Sequence, residues 1–142
     1  MKVETILTTK GGGVFTITPD KTLKQAARVL DKNRIGALVV VDEAGAVVGI
    51  LSERDIIRYS AHHTTVFDVP VSKAMTKSVV MGSPDDDVKS VMQTMTAKRF
   101  RHLPIVEQGK LVGMISIGDL LKELLNKSQG ELHRREIQVM ED

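Results

Sequence analysis

The chain has 142 residues, of which 42% are hydrophobic and 27% are charged, a composition typical of one globular domain or of two small halves that share a core. A net charge of +2 is too small to indicate binding to nucleic acid or to an anionic membrane, and the absence of cysteine excludes disulfides, thiol catalysis and thiolate metal sites. No apolar run is long enough to span a membrane and the N-terminus lacks a signal-peptide pattern, so we expect a cytoplasmic protein.

The first half of the chain predicts the order strand, helix, strand, strand, helix. A short extended segment covers residues 14–17, and a helix begins near Thr22, whose hydroxyl can cap it while Gln25 reaches back. Two strands follow at 37–41 and 47–51, apolar throughout as expected when both faces of a sheet are covered. A second helix starts at Ser52.

The second half repeats this order. Pro19-Asp20 returns as Pro84-Asp85, and the segment 49–55 returns as 113–119. The corresponding elements are an extended segment at 78–81, an apolar helix face at 88–95, strands at 103–106 and 111–115, and a helix from Ser116. A similar lead-in, expected to be helical, precedes each unit at 3–8 and 71–76. We therefore divide the chain into a first unit at 1–60, a linker at 61–70, a second unit at 71–126 and a polar extension at 127–142.

Both units keep a Gly-x-x-Ser-x-x-Asp segment where the last strand ends. Its members are Gly49, Ser52 and Asp55 in the first unit, and Gly113, Ser116 and Asp119 in the second. One interpretation is a helix start, with Ser as the cap and Asp completing the capping box. The other is a ligand site, in which Gly makes room for a planar group and Asp accepts hydrogen bonds from a ribose diol. The two roles can coexist.

The approach to the middle strand differs between the halves in its charge. Arg34 and Arg99 occupy equivalent places at a helix C-terminus, where cations are favoured in any case. Arg101 and His102 replace Gly36 and Ala37, and an Arg-His pair can donate hydrogen bonds to phosphate oxygens. This difference predicts two unequal sites.

Other chemistry-bearing residues are better explained by structure. His62-His63 lies in a polar segment, the acidic run 85–87 stands at a helix start, and Gly11–Gly13 is expected to be a flexible joint. No Ser-His-Asp order, glycine-rich dinucleotide turn or metal-ligand cluster indicates catalysis. We expect neither a catalytic residue nor a bound metal.

Over residues 1–126 the chain resembles a tandem CBS pair, also called a Bateman module. The segments that carry the resemblance are 35–40, 49–55, 101–106 and 113–119. The resemblance implies an α/β (α+β) fold of two β-α-β-β-α units, packed sheet to sheet with pseudo-twofold symmetry. It also implies clefts that hold adenosine nucleotides such as AMP, ADP, ATP, NAD(H) or S-adenosylmethionine.

The resemblance assigns roles to individual residues. Ribose would be held by Asp55 and Asp119, with Ser52 and Ser116 beside them. Adenine would lie against Thr16, Ile17, Ala37 and Leu38 in one cleft, and against Val79, Val80, His102 and Leu103 in the other. Phosphates would meet Arg54, Arg99, Arg101 or His102. Gly118 stands where the first unit has Arg54, and we expect the Asp119 site to bind more reliably because more phosphate donors surround it.

The function expected from these features is a regulatory sensor of energy or redox state, acting through a change of shape or of contacts with an unidentified regulated protein. One alternative is a structural homo-oligomerisation module, and another is an enzyme acting on the bound nucleotide. Leu124 and Leu125 would be an apolar liability if exposed in a monomer, which favours a homodimer formed through the second helices.

Overall fold

The structure, a computed structural model, describes residues 1–11 and 13–128, so most of the predicted C-terminal extension lies outside the described residues. The first repeat contains α1 (Val3–Lys10), β1 (Thr16–Ile17), α2 (Leu23–Asn33), β2 (Ala37–Val41), β3 (Val47–Ser52) and α3 (Glu53–His62). The second contains a 3₁₀ turn (Val71–Lys73), α4 (Val88–Lys98), β4 (His102–Glu107), β5 (Lys110–Ser116) and α5 (Ile117–Ser128). The mixed α/β architecture is confirmed.

Local chemistry fixes where the helices begin. The Gln25 N–H donates to the Thr22 hydroxyl at 3.2 Å, and the Thr22 N–H donates to the Gln25 side chain at 2.9 Å. This is the predicted capping box, which satisfies two backbone donors that the first turn leaves free. From this start, α2 buries Leu23, Ala26 and Leu30, as the helical spacing of the apolar residues predicts.

The two sheets are unequal. In the first, β1 pairs parallel with β2, and β2 pairs antiparallel with β3. The second contains the antiparallel pair β4 and β5. The prediction that residues 78–81 form a strand is wrong. Pairing there is limited to a bridge at Gly82, whose N–H donates to the Pro104 carbonyl at 2.9 Å. The residues before Gly82 lie instead along a cavity wall.

The lead-in segments cross over between the units. Val3 and Ile6 of α1 are buried in the second unit's core, and the Val3 N–H donates to the Asp86 carbonyl at 2.9 Å. Val71 of the second lead-in is buried in the first unit's core, where its N–H donates to the Lys21 carbonyl at 2.7 Å. The predicted unit boundaries follow chain order, whereas each lead-in packs with the unit to which it does not belong in sequence.

The starts of α3 and α5 are held in equivalent ways. The Glu53 N–H donates to the Gly36 carbonyl at 3.0 Å, and the Ile117 N–H donates to the Arg101 carbonyl at 2.9 Å. Each helix N-terminus is thereby tied to the residue just before its neighbouring strand. Over the described ranges, no helix is both long and apolar enough to cross a membrane.

Candidate functional site

A cavity of about 580 Å³ lies between the two units. The first unit contributes the end of β3 and the start of α3, while the second contributes residues from 76–80, 98–102 and 116–118. Pockets that enclose small ligands usually measure roughly 300–1,000 Å³, so this cavity is large enough for a nucleotide.

Asp55 is the buried carboxylate of this cavity, with 5% of its surface exposed. Its Oδ2 accepts the Ser52 N–H at 2.9 Å, and its own N–H donates to the Ser52 hydroxyl at 3.2 Å, which completes the predicted capping box. Its Oδ1 accepts from the Thr76 hydroxyl and the Arg58 guanidinium, each at 3.2 Å. Since Thr76 and Arg58 also line the cavity, one carboxylate oxygen caps the helix and the other lies on the cavity side.

Positive charge dominates the cavity wall. The carboxylates of the wall belong to Glu53 and Asp55. Five cationic side chains line it: Arg54, Arg58, Lys98, Arg99 and Arg101. The N-terminal ends of α3 and α5 also border the cavity, and their helix dipoles favour anions further. The wall is therefore suited to a ligand that carries several negative charges.

Arg99 combines a helix-capping backbone with a side chain at the cavity. It ends α4 in the left-handed conformation, with φ 57°, and its N–H donates to the Met95 carbonyl. Arg34 ends α2 in the same way, with φ 52°, but does not line the cavity. The capping interpretation is therefore confirmed for both residues, and Arg99 alone of the pair adds charge to the wall.

His102 lies at the same wall, in surroundings that favour its neutral form. Burial lowers the pKa of its imidazole, and the positive charges of Lys10 and Arg101 lower it further, while the carboxylates of Glu53 and Asp119 act in the opposite direction. A neutral imidazole can donate one hydrogen bond, and it gains a second donor if an anionic ligand stabilises its protonated form.

The cleft beside Asp119 is different. Its capping box is present, with the Ser116 N–H donating to Asp119 Oδ2 at 2.8 Å, but Lys10 Nζ also lies 2.9 Å from Oδ2 and 2.9 Å from the Met114 carbonyl oxygen. Burial acts to raise the pKa of Asp119, and these donors outweigh it, so the pKa is lowered. The neighbouring cavity, lined by Lys10, Phe15, Ala37 and others, measures about 120 Å³ and is too small for a nucleotide.

The two repeated glycines make room for the lead-in segments, and the expectation that they admit a planar ligand is wrong. A Cβ on Gly49 would lie 2.7 Å from Met75 Sδ, and one on Gly113 would lie 2.6 Å from Leu7 Cδ2. Leu7 and Met75 occupy equivalent places in the two lead-ins, so close backbone approach requires glycine in both units.

The structure gathers most of the predicted site residues into one cleft rather than two. Those along the larger cavity are Ser52, Arg54, Asp55, Val79, Val80, Arg99, Arg101, His102 and Ser116. Those that line neither cavity are Thr16, Ile17, Leu38, Leu103 and Asp119, and of these Ile17, Leu38 and Leu103 are buried in the two cores. Ala37 lines the smaller cavity. The individual roles of these residues stay predictions.

The residues of the larger cavity that sequence reasoning missed include Arg58, Thr76 and Lys98. Arg58 follows Asp55 by three positions, a spacing that places both on one helix face. Thr76 corresponds to Thr8 when the two lead-in segments are aligned. That alignment identifies the position but does not show the unit against which the residue packs. Among residues 1–11 and 13–128, no group of three His, Asp or Glu side chains is arranged to hold a metal ion.

Comparison with known proteins agrees with this geometry. The family model for the CBS domain matches residues 3–62 and again residues 67–126. The CBS domain-containing protein YhcV of Bacillus subtilis is 34% identical over 118 residues, which are 82% of this chain and 84% of that protein. A CBS-domain containing protein of Agrobacterium tumefaciens has a solved structure that superimposes with a TM-score of 0.84, at 41% identity over 87% of this chain and 99% of that one.

Two similar solved structures contain adenosine compounds. The CBS domain pair of protein MJ0100 was solved with 5′-methylthioadenosine and S-adenosyl-L-methionine, and it is 26% identical with a TM-score of 0.80 over 89% of this chain and 98% of its own. CBSX2, solved with AMP, is 19% identical with a TM-score of 0.76 over 88% of this chain and 97% of its own, a likeness of fold alone.

Proposed function

The chain belongs to the CBS-domain family as a tandem pair, and from this premise we propose that it is a regulatory module that binds a phosphorylated adenosine nucleotide in the cleft of Asp55. The candidate ligands of this class, whose affinities are to be compared, are AMP, ADP, ATP and NAD(H). The adenosine ligands in the structure of MJ0100 support the adenosine part of the proposal.

The observation that carries the proposal is the placing of Asp55 and the cationic groups around one cavity. Asp55 Oδ1 has a donor on either side, Thr76 and Arg58, and an ionised carboxylate oxygen can accept a ribose hydroxyl in place of either. The Arg58 side chain is 69% exposed, so its ion pair with Asp55 contributes little and can be exchanged for the ribose.

The rest of the nucleotide would extend from Asp55 toward the second unit. In this proposal Val79 and Val80, which follow the second lead-in, contact the adenine, while Arg99, Arg101 and His102 donate to the phosphates. Five cations against two carboxylates favour a ligand with phosphates over an uncharged nucleoside.

A ligand in this position would contact both units, and this is how it could carry a signal. A nucleotide changes the shape of the protein only if it binds two arrangements with different affinity. Because Asp55 belongs to the first unit and Arg99 to the second, an altered arrangement of the units changes the distance between the ribose and phosphate partners. We propose that this change alters contacts with a regulated protein, and that the chain itself catalyses no reaction.

Exposed apolar side chains on α3 and α5 support a homodimer as the form in which this module acts. Ile57 of α3 and Leu121, Leu124 and Leu125 of α5 are between 42% and 66% exposed. Burying such side chains against a second copy would remove apolar area from water. Light scattering should give the mass of two chains, and the mass of one chain would contradict the dimer.

Isothermal titration calorimetry with adenosine, AMP, ADP, ATP and NAD tests the proposal directly. We expect at least one of the phosphorylated ligands to bind with a stoichiometry of one per chain, and adenosine to bind about tenfold more weakly or worse, because it lacks charge-assisted bonds to the wall. Equal affinity for adenosine and the nucleotides, or no binding of any of them, would contradict it.

A further inference from the structure

Lys10 holds the carboxylate that the second cleft would offer to a ribose. Its Nζ lies 2.9 Å from Asp119 Oδ2 and 2.9 Å from the Met114 carbonyl oxygen, although it is distant from both in sequence. The capping of α5 does not depend on this contact, because the Ser116 N–H and hydroxyl supply the capping bonds themselves. The ion pair between Lys10 and Asp119 is therefore not needed to cap α5.

The equivalent place in the first cleft is open to ligand. There Asp55 accepts hydrogen bonds from the neutral hydroxyl of Thr76 and from the guanidinium of Arg58, whose side chain is 69% exposed, and the adjoining cavity measures about 580 Å³. In the second cleft an ammonium group satisfies the carboxylate, and the adjoining cavity, which the Lys10 side chain helps to line, measures about 120 Å³. A cation supplied by the chain thus occupies the place of a ligand hydroxyl.

The surroundings of Lys10 are open to solvent. Gly11 has φ +66°, and a Cβ added at Gly11 or at Gly13 would find nothing within 4 Å. Lys10 is 41% exposed and Asp119 is 23% exposed. The ion pair is therefore partly screened by solvent, and its ammonium can move into solvent without disturbing the buried residues of α1, Val3 and Ile6.

We propose that Lys10 is an internal competitor that keeps the second cleft closed, so that a nucleotide reaches Asp119 only after Lys10 has left it. This inference rests on the proposed function, since it concerns the second site of the same module. It makes the wild-type chain bind one nucleotide tightly, and it makes any second binding event weaker by the cost of displacing Lys10.

Native mass spectrometry and calorimetry with ATP on Lys10→Ala test this inference. We expect one ATP per chain for the wild type, a second ATP for Lys10→Ala with affinity raised about tenfold at the second site, and one ATP again for Lys10→Ala combined with Asp119→Asn. Lys2→Ala is the matched control, because Lys2 lies at the other end of α1 and its ammonium group pairs with the exposed Asp85 at 3.7 Å. It should leave the stoichiometry at one.

The inference is overturned if folded Lys10→Ala still binds one ATP, or if the wild type binds two with equal affinity. These results differ from failure of the proposed function, in which the wild type binds none of the nucleotides. Unfolding curves of both lysine variants establish that the fold is retained, because Lys10 is partly exposed and buries no apolar surface that the core requires.

Discussion

The hydroxyl of Thr76 donates a 3.2 Å hydrogen bond to Asp55 Oδ1 and so joins the second lead-in to the last helix of the first unit. The same lead-in pairs with β3, where the N–H and carbonyl groups of Ile50 and Thr76 exchange hydrogen bonds of 2.9 Å and 3.0 Å. The proposed ribose carboxylate is therefore positioned by a segment that enters from the other repeat, and the lead-in is part of the site.

Thr76→Val removes this donor while keeping a β-branched side chain. Asp55 is almost fully buried, so the loss of one of its donors should lower the free energy of unfolding by about 1–2 kcal/mol. Thr8→Val is the matched control: the Thr8 hydroxyl bonds to the Glu4 carbonyl on the exposed face of α1, and its loss should cost less than about 0.5 kcal/mol. Chemical denaturation measures both, and equal costs would contradict the special role of Thr76.

Gly49→Ala tests the close approach of the lead-in. The new Cβ would meet Met75 Sδ at 2.7 Å and the Thr76 carbonyl oxygen at 3.0 Å, and such overpacking costs about 1–3 kcal/mol. Gly113→Ala should cost less, because the Cβ meets only the end of the Leu7 side chain. Gly13→Ala meets nothing and should stay within about 0.5 kcal/mol of wild type. Any other order of the three unfolding free energies contradicts this packing.

Arg99→Gly separates the backbone role of Arg99 from its charge. Glycine suits the left-handed conformation at the end of α4, so the variant should be as stable as wild type or more stable by up to about 1 kcal/mol. Its affinity for the best-binding nucleotide should fall about tenfold or more, because one phosphate donor is lost. Arg34 has the same backbone conformation as Arg99 but lies away from the cavity, so the Arg34→Gly variant should keep full affinity. Calorimetry that finds equal affinities for both variants would remove Arg99 from the site.

The lowered pKa of His102 predicts a loss of stability in mild acid. Because burial places the folded-state pKa below that of an unfolded histidine, the unfolded chain takes up a proton first as the pH falls. The contribution to stability is therefore complete above about pH 6.5 and declines below it, until the folded imidazole also titrates. Denaturation midpoints measured across this range should show the decline for wild type and a smaller one for His102→Gln. Identical pH profiles would show that His102 does not titrate in this way.

Much of the fold follows from the duplicated pattern. The apolar spacing at Leu23, Ala26 and Leu30, the cap at Thr22 and the strands of each unit are local features, and the structure confirms them. The crossing of the lead-ins could not be predicted, because similarity between residues 3–8 and 71–76 shows that they are alike but not which core each enters.

Only part of the site could be predicted from the sequence, for the same reason. The Ser and Asp residues of the two helix starts are local features that the repeat reveals, whereas the grouping of Arg99, Arg101 and His102 with Asp55 depends on how the units face each other. Counting donors near Asp119 along the sequence ranked that site first. We propose the opposite order, because those donors line the Asp55 cavity and Lys10 reaches Asp119 from the far end of the chain.

The most direct test of the central claim is calorimetry of the best-binding adenosine nucleotide with wild type, Asp55→Asn and Asp119→Asn. Asparagine keeps a capping oxygen but loses the negative charge that ribose hydroxyls would meet. We predict about tenfold or greater weakening for Asp55→Asn and near wild-type affinity for Asp119→Asn. Full affinity in Asp55→Asn, with binding lost in Asp119→Asn, would contradict the assignment of the nucleotide to the Asp55 cleft.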